Sequence, residues 1–142
     1  MNSAGAKPAM ADDSPYPIGA PTIRVTTMPA DANSYGDIFG GWLMSQMDMA
    51  AGLVAARHSA GRAVTIAVEG MQFLRPVSVG DEVSVFATLV AVGTTSMSID
   101  VEAWRRDRHA TQTSKVTQAR FVFVAVDGAG RPRKAPPLES GS

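Results

Sequence analysis

Apolar residues crowd one stretch of this chain and alternate with polar ones through most of the C-terminal half. Residues 40–58 read GGWLMSQMDMAAGLVAARH, rich in Leu, Met and Ala, which favour helix by intrinsic propensity. Trp42, Leu43, Met44, Met47, Met49, Leu53 and Val54 cover most of the circumference of such a helix. A helix apolar nearly all round is expected to be buried. Arg57 and His58 suit the negative pole at its end, and Gly61 is expected to close the turn. Beyond it the period falls to two. Residues 64–73, 82–92, 96–106 and 114–126 are expected as long, half-buried antiparallel strands. In the third of these Met97, Ile99, Val101 and Ala103 share a face; in the fourth Val116, Gln118, Arg120, Val122, Val124 and Val126 do. Turn chemistry separates them at Pro76, Gly80–Asp81, Gly93, Asp107–Arg108 and Asp127–Gly128. A shorter strand fits residues 22–28, and the later connections are too short for crossover helices.

One strand, an apolar helix and four long strands make an α+β layout. The helix can bury its surface only if a curved sheet wraps around it. The edges of that sheet stay open, and pairing two copies edge to edge closes them, so a homo-oligomer is expected. Residues 22–130 are expected to form one domain. Residues 1–21, with five Ala, four Pro and no hydrophobic period, are expected to be a disordered tail, and residues 131–142, with three Pro, a flexible one.

Composition narrows the chemistry. Net charge is zero, so no electrostatic footprint points to nucleic acid or to an anionic membrane. The absence of cysteine removes a disulfide framework, a thiol nucleophile and a thiolate metal site. With His58 and His109 isolated, no metal site is expected. The N-terminus lacks the apolar core of a signal peptide and no run is long enough to span a bilayer, so a cytoplasmic protein is expected.

Asp48 is the anomaly. It falls mid-helix, where a buried charge is costly, yet its neighbours at three and four residues are Met44, Ser45, Ala51 and Gly52, three of them small. That leaves open space over a carboxylate, as a substrate channel needs. The alternative is a side chain turned to solvent or to a local backbone donor. Ahead of the helix, residues 33–42 read NSYGDIFGGW. Gly40 and Gly41 would let backbone N–H groups approach a ligand closely, at the helix end that favours negative charge. A plain tight turn capped by Asn33 or Asp37 is the competing account.

These segments together (MPADANSYGDIFGGWLMSQMDMAAG, VTIAVEGMQFLRPVSVGDEV, GTTSMSIDVEAW and FVFVAVDGAGRPR) closely resemble the YciA-type acyl-CoA thioesterases over roughly residues 24–137. The resemblance implies the hotdog fold, a curved antiparallel sheet of five to six strands around a long central helix. It implies hydrolysis of acyl-CoA to a carboxylic acid and CoA, with no cofactor beyond the CoA of the substrate. It also implies a trimer of dimers with active sites at the dimer interface. Asp48 takes the place of the family's acidic residue, Asn33 and Gly36 of its N-x-x-G element, and Phe39, Gly40 and Gly41 of its F-G-G. Tyr35 departs from a second Asn usual in close relatives. Catalysis is thus assigned to Asp48, Asn33, Gly40 and Gly41. Substrate contacts are assigned to Gly36, Phe39, Thr65, Arg75, Thr94, Thr95, Ser96, Arg105 and Arg106. An acyl-CoA hydratase or dehydratase would want a His–acid pair, and a non-catalytic acyl-CoA-binding protein an effector segment; both stand as alternatives.

Overall fold

The computed structural model describes residues 14–139. Strand β1 (Ile23–Thr26) leads through a single 3-10 turn (Pro29–Asp31) to helix α1 (Gly40–Ser59). Four long strands come after it: β2 (Ala63–Phe73), β3 (Glu82–Val92), β4 (Ser96–Arg106) and β5 (Thr113–Ala125). They form one antiparallel sheet in the order β1-β3-β4-β5-β2, with α1 packed against β2, β3, β4 and β5. This is the α+β arrangement of a helix held in a curved sheet.

Val83 and Val85 of β3, Met97, Ile99 and Val101 of β4, and Phe121 and Phe123 of β5 meet Leu43, Met47, Ala50, Ala51 and Ala55 of the helix. Val116 lies in the core as expected, but beyond the register shift between Lys115 and Thr117 the core face of β5 is the odd-numbered set, because Phe121 pairs with Ile99 and Phe123 with Met97. The even-numbered valines 122 and 124 of the expected common face lie on the other side of the strand. On the outer face Tyr16 stands edge-on to both Phe86 and Trp104, each at 5.3 Å between ring centroids, covering two aromatics that β3 and β4 turn outward. There too Asp100 hydrogen-bonds Arg120 and raises its already high pKa.

Two expectations change. The helix is buried on one side only: Met44, Met49 and Leu53 are 39 %, 51 % and 51 % exposed. A single five-stranded sheet covers one face of a helix, and the apolar remainder is left facing outward. Its last turn is closed by Ala60, in the left-handed conformation at φ 54°, and not by Gly61. The N–H of Ala60 reaches the Ala56 and Arg57 carbonyls, which offsets the strain of a side chain there.

Strand β2 is the open edge of the sheet beyond β5, and it is irregular. Thr65 pairs with Phe123 but Ala67 with Val122, which leaves Ile66 as an extra residue, 58 % exposed. A second register shift lies between Glu69 and Gln72, around Gly70 at φ 66°. Such bulges bend a strand and are common beside functional sites. The segment after β5 packs against the domain: Ala135 is only 2 % exposed and its N–H bonds the Thr94 carbonyl.

Candidate active site

Asp48 sits half-buried on α1, and Thr65 of β2 donates its Oγ1 proton to Asp48 Oδ1 at 2.6 Å. The partner of Asp48 is thus a side chain of the neighbouring strand and not a local backbone donor. A hydrogen bond to an ionised acceptor is roughly twice as strong as one between neutral groups, and here it fixes how the carboxylate lies. The other oxygen remains available to a substrate or a water. Thr65, assigned from sequence only as a substrate contact, is therefore the group that orients Asp48.

The helix start is equally specific. Its N-cap is Phe39, with no side-chain cap, so neither Asn33 nor Asp37 caps the helix and neither side chain covers the first-turn N–H groups. A Cβ added at Gly41 would meet nothing within 4 Å, so the space over it is open. Asn33 Oδ1 accepts the N–H groups of Tyr35 (2.8 Å) and Asp37 (3.2 Å), folding the loop back on itself. What Asn33 has left to offer a substrate is its amide N–H donor. Gly36, at φ 85°, makes the turn that brings Asp37 within reach. Tyr35 stands exposed at the tip of that loop.

Beside the helix start lies a cleft of about 390 Å³, lined by Gly40, Leu43, Phe73, Leu74, Arg75 and Val77 among others. The Phe73 ring closes one side of it, with its Cζ 3.1 Å from where a Cβ on Gly40 would stand. Sequence reasoning missed Phe73; an aromatic residue ending a strand carries no distinguishing signal.

The assigned residues divide into two groups. Asn33, Gly36, Phe39, Gly40, Gly41 and Arg75 gather at the N-terminal end of α1, while Asp48 and Thr65 meet further along. Arg75 donates to the Lys115 carbonyl, Arg105 to Asp81, and Arg106 to Glu82. Each is thus engaged by protein groups. The Thr94–Thr95–Ser96 turn joins β3 to β4 at the other end of the sheet, against the C-terminal segment. Among the described residues no three His, Asp or Glu converge to hold a metal, and no helix is long and apolar enough to cross a membrane.

The chain thus carries a half-buried acid held by a hydroxyl and, two helical turns away, an uncapped glycine helix start, on a helix cradled by one curved sheet. Comparison with known proteins agrees. The thioesterase superfamily model matches residues 35–111. The YciA acyl-CoA thioester hydrolase of Salmonella typhimurium is 50 % identical over 123 residues, covering 84 % of this chain and 92 % of that protein. A hexameric thioesterase from Yersinia pestis superposes with a TM-score of 0.80 at 46 % identity, covering 87 % of this chain and all of that one. An aspartate-to-alanine mutant of a hexameric, broad-specificity acyl-coenzyme A thioesterase gives 0.79 at 43 %, covering 87 % and 91 %. The chain belongs to the thioesterase superfamily and, within it, to the YciA-type family.

Proposed function

We propose that this chain hydrolyses acyl-CoA thioesters of broad chain length to a carboxylic acid and free CoA, with Asp48 as general base. The observation that carries the reading is the Thr65–Asp48 hydrogen bond on a helix whose glycine start is open. Membership of the family supports it, as does the choice of an aspartate for replacement by alanine in a structural neighbour. Asp48 would take a proton from water as its oxygen attacks the thioester carbon. The N–H of Gly41, with Gly40 and the Asn33 amide, would receive the oxygen that becomes negative. CoA leaves as a thiolate, whose pKa near 8.5 asks for little acid assistance.

One chain cannot bring these parts together. From Gly41 to Asp48 the helix rises about 10 Å, whereas base and oxyanion donors must both lie about 3 Å from the reacting group. The helix start of a second copy must face Asp48. The open edge of β2 and the exposed Met44, Met49 and Leu53 are the surfaces available for that pairing. Dimers formed this way, assembled in threes, fit the hexameric state named for the two structural neighbours. The cleft beside Phe73 is the room for the acyl chain, and the cytoplasm is the compartment we propose.

The hydratase alternative lacks its base: His58 lies ten residues beyond Asp48, bonded to the Pro136 carbonyl at 2.8 Å, and His109 lies in the β4–β5 turn. The test is Asp48→Asn, assayed by thiol release from acetyl-CoA and palmitoyl-CoA. Loss of the base lowers turnover by roughly 10²–10⁴-fold. A folded, oligomeric variant with near-normal turnover overturns the assignment. Hydrolysis in heavy-oxygen water under single turnover separates base from nucleophile, since only direct attack leaves label in the Asp48 carboxylate.

A further inference from the structure

The cleft beside the helix start is built from two chain segments that the fold lays side by side. Ile38 N–H bonds the Val77 carbonyl at 2.8 Å, and Asp37 bridges to Ser78. Its walls are apolar: Ile38, Leu43 and Val77 are at most 7 % exposed, and the Phe73 ring closes one side. Only two of the residues lining it carry charge, Asp37 and Arg75.

Arg75 is the feature that a purely apolar acyl chain leaves unused. It is half-buried, two residues beyond Phe73. Of the five N–H donors of its guanidinium, one on Nη1 goes to the Lys115 carbonyl at 2.7 Å, a neutral acceptor. Among the described residues no carboxylate pairs with it. Asp81 pairs with Arg105, Glu82 with Arg24 and Arg106, Asp100 with Arg120, and Glu102 with Lys115. Asp37 is exposed, and its backbone N–H is taken by Asn33 Oδ1. A tie between the end of β2 and the start of β5 needs one donor and no charge. A cation drawn partly out of water beside apolar walls, with no anion matched to it, is costly unless an anion arrives.

We propose that Arg75 fits this site to acyl groups that end in a second carboxylate, the CoA thioesters of dicarboxylic acids of four to six carbons, and that its guanidinium receives that carboxylate. The inference rests on the acyl-CoA reading above and on the cleft as the room for the acyl chain. The thioester carbonyl sits at Gly40–Gly41, the chain passes Phe73, and its far end meets Arg75. The lengths agree. Two residues of extended chain separate Phe73 from Arg75 by about 7 Å. Four to six carbons span roughly 4–6 Å at the per-bond reach of an extended chain, and the arginine side chain covers the remainder. The planar fork of a guanidinium fits both oxygens of a carboxylate, and such a charge-assisted pair is roughly twice as strong as a neutral hydrogen bond. A methyl end gains nothing from it. The reaction stays a hydrolysis: water adds across the acyl–sulfur bond, CoA leaves as the thiol, and the other product is the free dicarboxylic acid.

The test uses the full-length protein and thiol release from two matched pairs, glutaryl-CoA with pentanoyl-CoA and adipoyl-CoA with hexanoyl-CoA. The quantity compared is the ratio of kcat/KM within a pair, acid-ended over methyl-ended. Wild type should cleave the acid-ended substrate of at least one pair as well as its match. Arg75→Gln keeps a donor for the Lys115 carbonyl but no charge, and should lower that ratio about tenfold or more, mainly through KM. Arg75→Lys, with the charge but not the fork, should fall between. Asp37→Asn removes the one carboxylate lining the cleft and should raise the ratio, a reading that stands even if the Arg75 variants fail to fold. An equal loss on both members of a pair in Arg75→Gln makes Arg75 only a tie between strands and overturns the proposal. A ratio unmoved in Asp37→Asn overturns it as well. If wild type cleaves pentanoyl-CoA and hexanoyl-CoA but neither acid-ended substrate, the proposal fails and the hydrolase reading stands. If wild type cleaves none of the four, both fail.

Discussion

Replacing Thr65 by Val removes one proton donor and little else. The side chains have the same shape, Val suits a strand, and the site is an exposed edge, so the fold should survive. What is lost is the 2.6 Å bond to Asp48 Oδ1. Hydrogen bonds to charged groups contribute about 1.5–3 kcal/mol. If that energy serves to hold the carboxylate in its attacking orientation, its loss appears in the barrier, at about 1.36 kcal/mol per tenfold in rate. Because Asp48 is only half-buried, water can take over part of the bond, and the lower end of the range applies. The expected fall in kcat/KM is about tenfold, with KM nearly constant, measured by thiol release from a mid-length acyl-CoA. Thr65→Ser keeps the hydroxyl and should restore most of the activity. A Val variant within twofold of wild type would refute the positioning role. So would a Ser variant as impaired as Val, since the methyl group and not the bond would then be what matters.

Other parts of the molecule give three more expected outcomes. Phe73→Ala removes the ring beside Gly40 and should shift the ratio of kcat/KM toward longer acyl chains in a substrate series from two to sixteen carbons; an unchanged ratio separates the cleft from the acyl chain. Ile66→Glu places a charge on the open β2 edge, at a residue 58 % exposed, and should dissociate the oligomer on a sizing column, with activity lost in proportion. Arg133→Ala breaks bonds to Val126, Ser59 and Arg62 and should lower stability to denaturant by about 1.5–3 kcal/mol.

Much of the fold was legible because its signals are local. The limits of β3 and β4 coincide with the alternation in the sequence, and the helix differs from its expected span by a single residue. Strand β2 resisted the same treatment. Thr65 pairs with the inward Phe123, Val68 with the inward Phe121, and Phe73 with Thr117, so its inner face changes between odd and even positions at each bulge. Period-two reading cannot track that. The outward side of the helix was not legible because composition reports how much apolar surface exists, not which layer of the chain covers it. Within the site, Asp48 announced itself as a charge among apolar neighbours. Its partnership with Thr65 depends on a fold that brings residues 17 positions apart into contact.

Strand β2 spends eleven residues, Ala63–Phe73, on partners that run only from Ala125 back to Thr117. Two hems of unequal length sewn together cannot lie flat, and the longer one must pucker. The curl of this side of the sheet is therefore a surplus of chain, and it can be taken in. Deleting Ile66 removes one surplus residue while every β2–β5 pair keeps its partner. The shortened protein should fold and melt much like the original, yet with a straighter margin, Thr65 drawn away from Asp48, and a slower enzyme. Such a deletion would part the code for folding from the code for catalysis within a single strand.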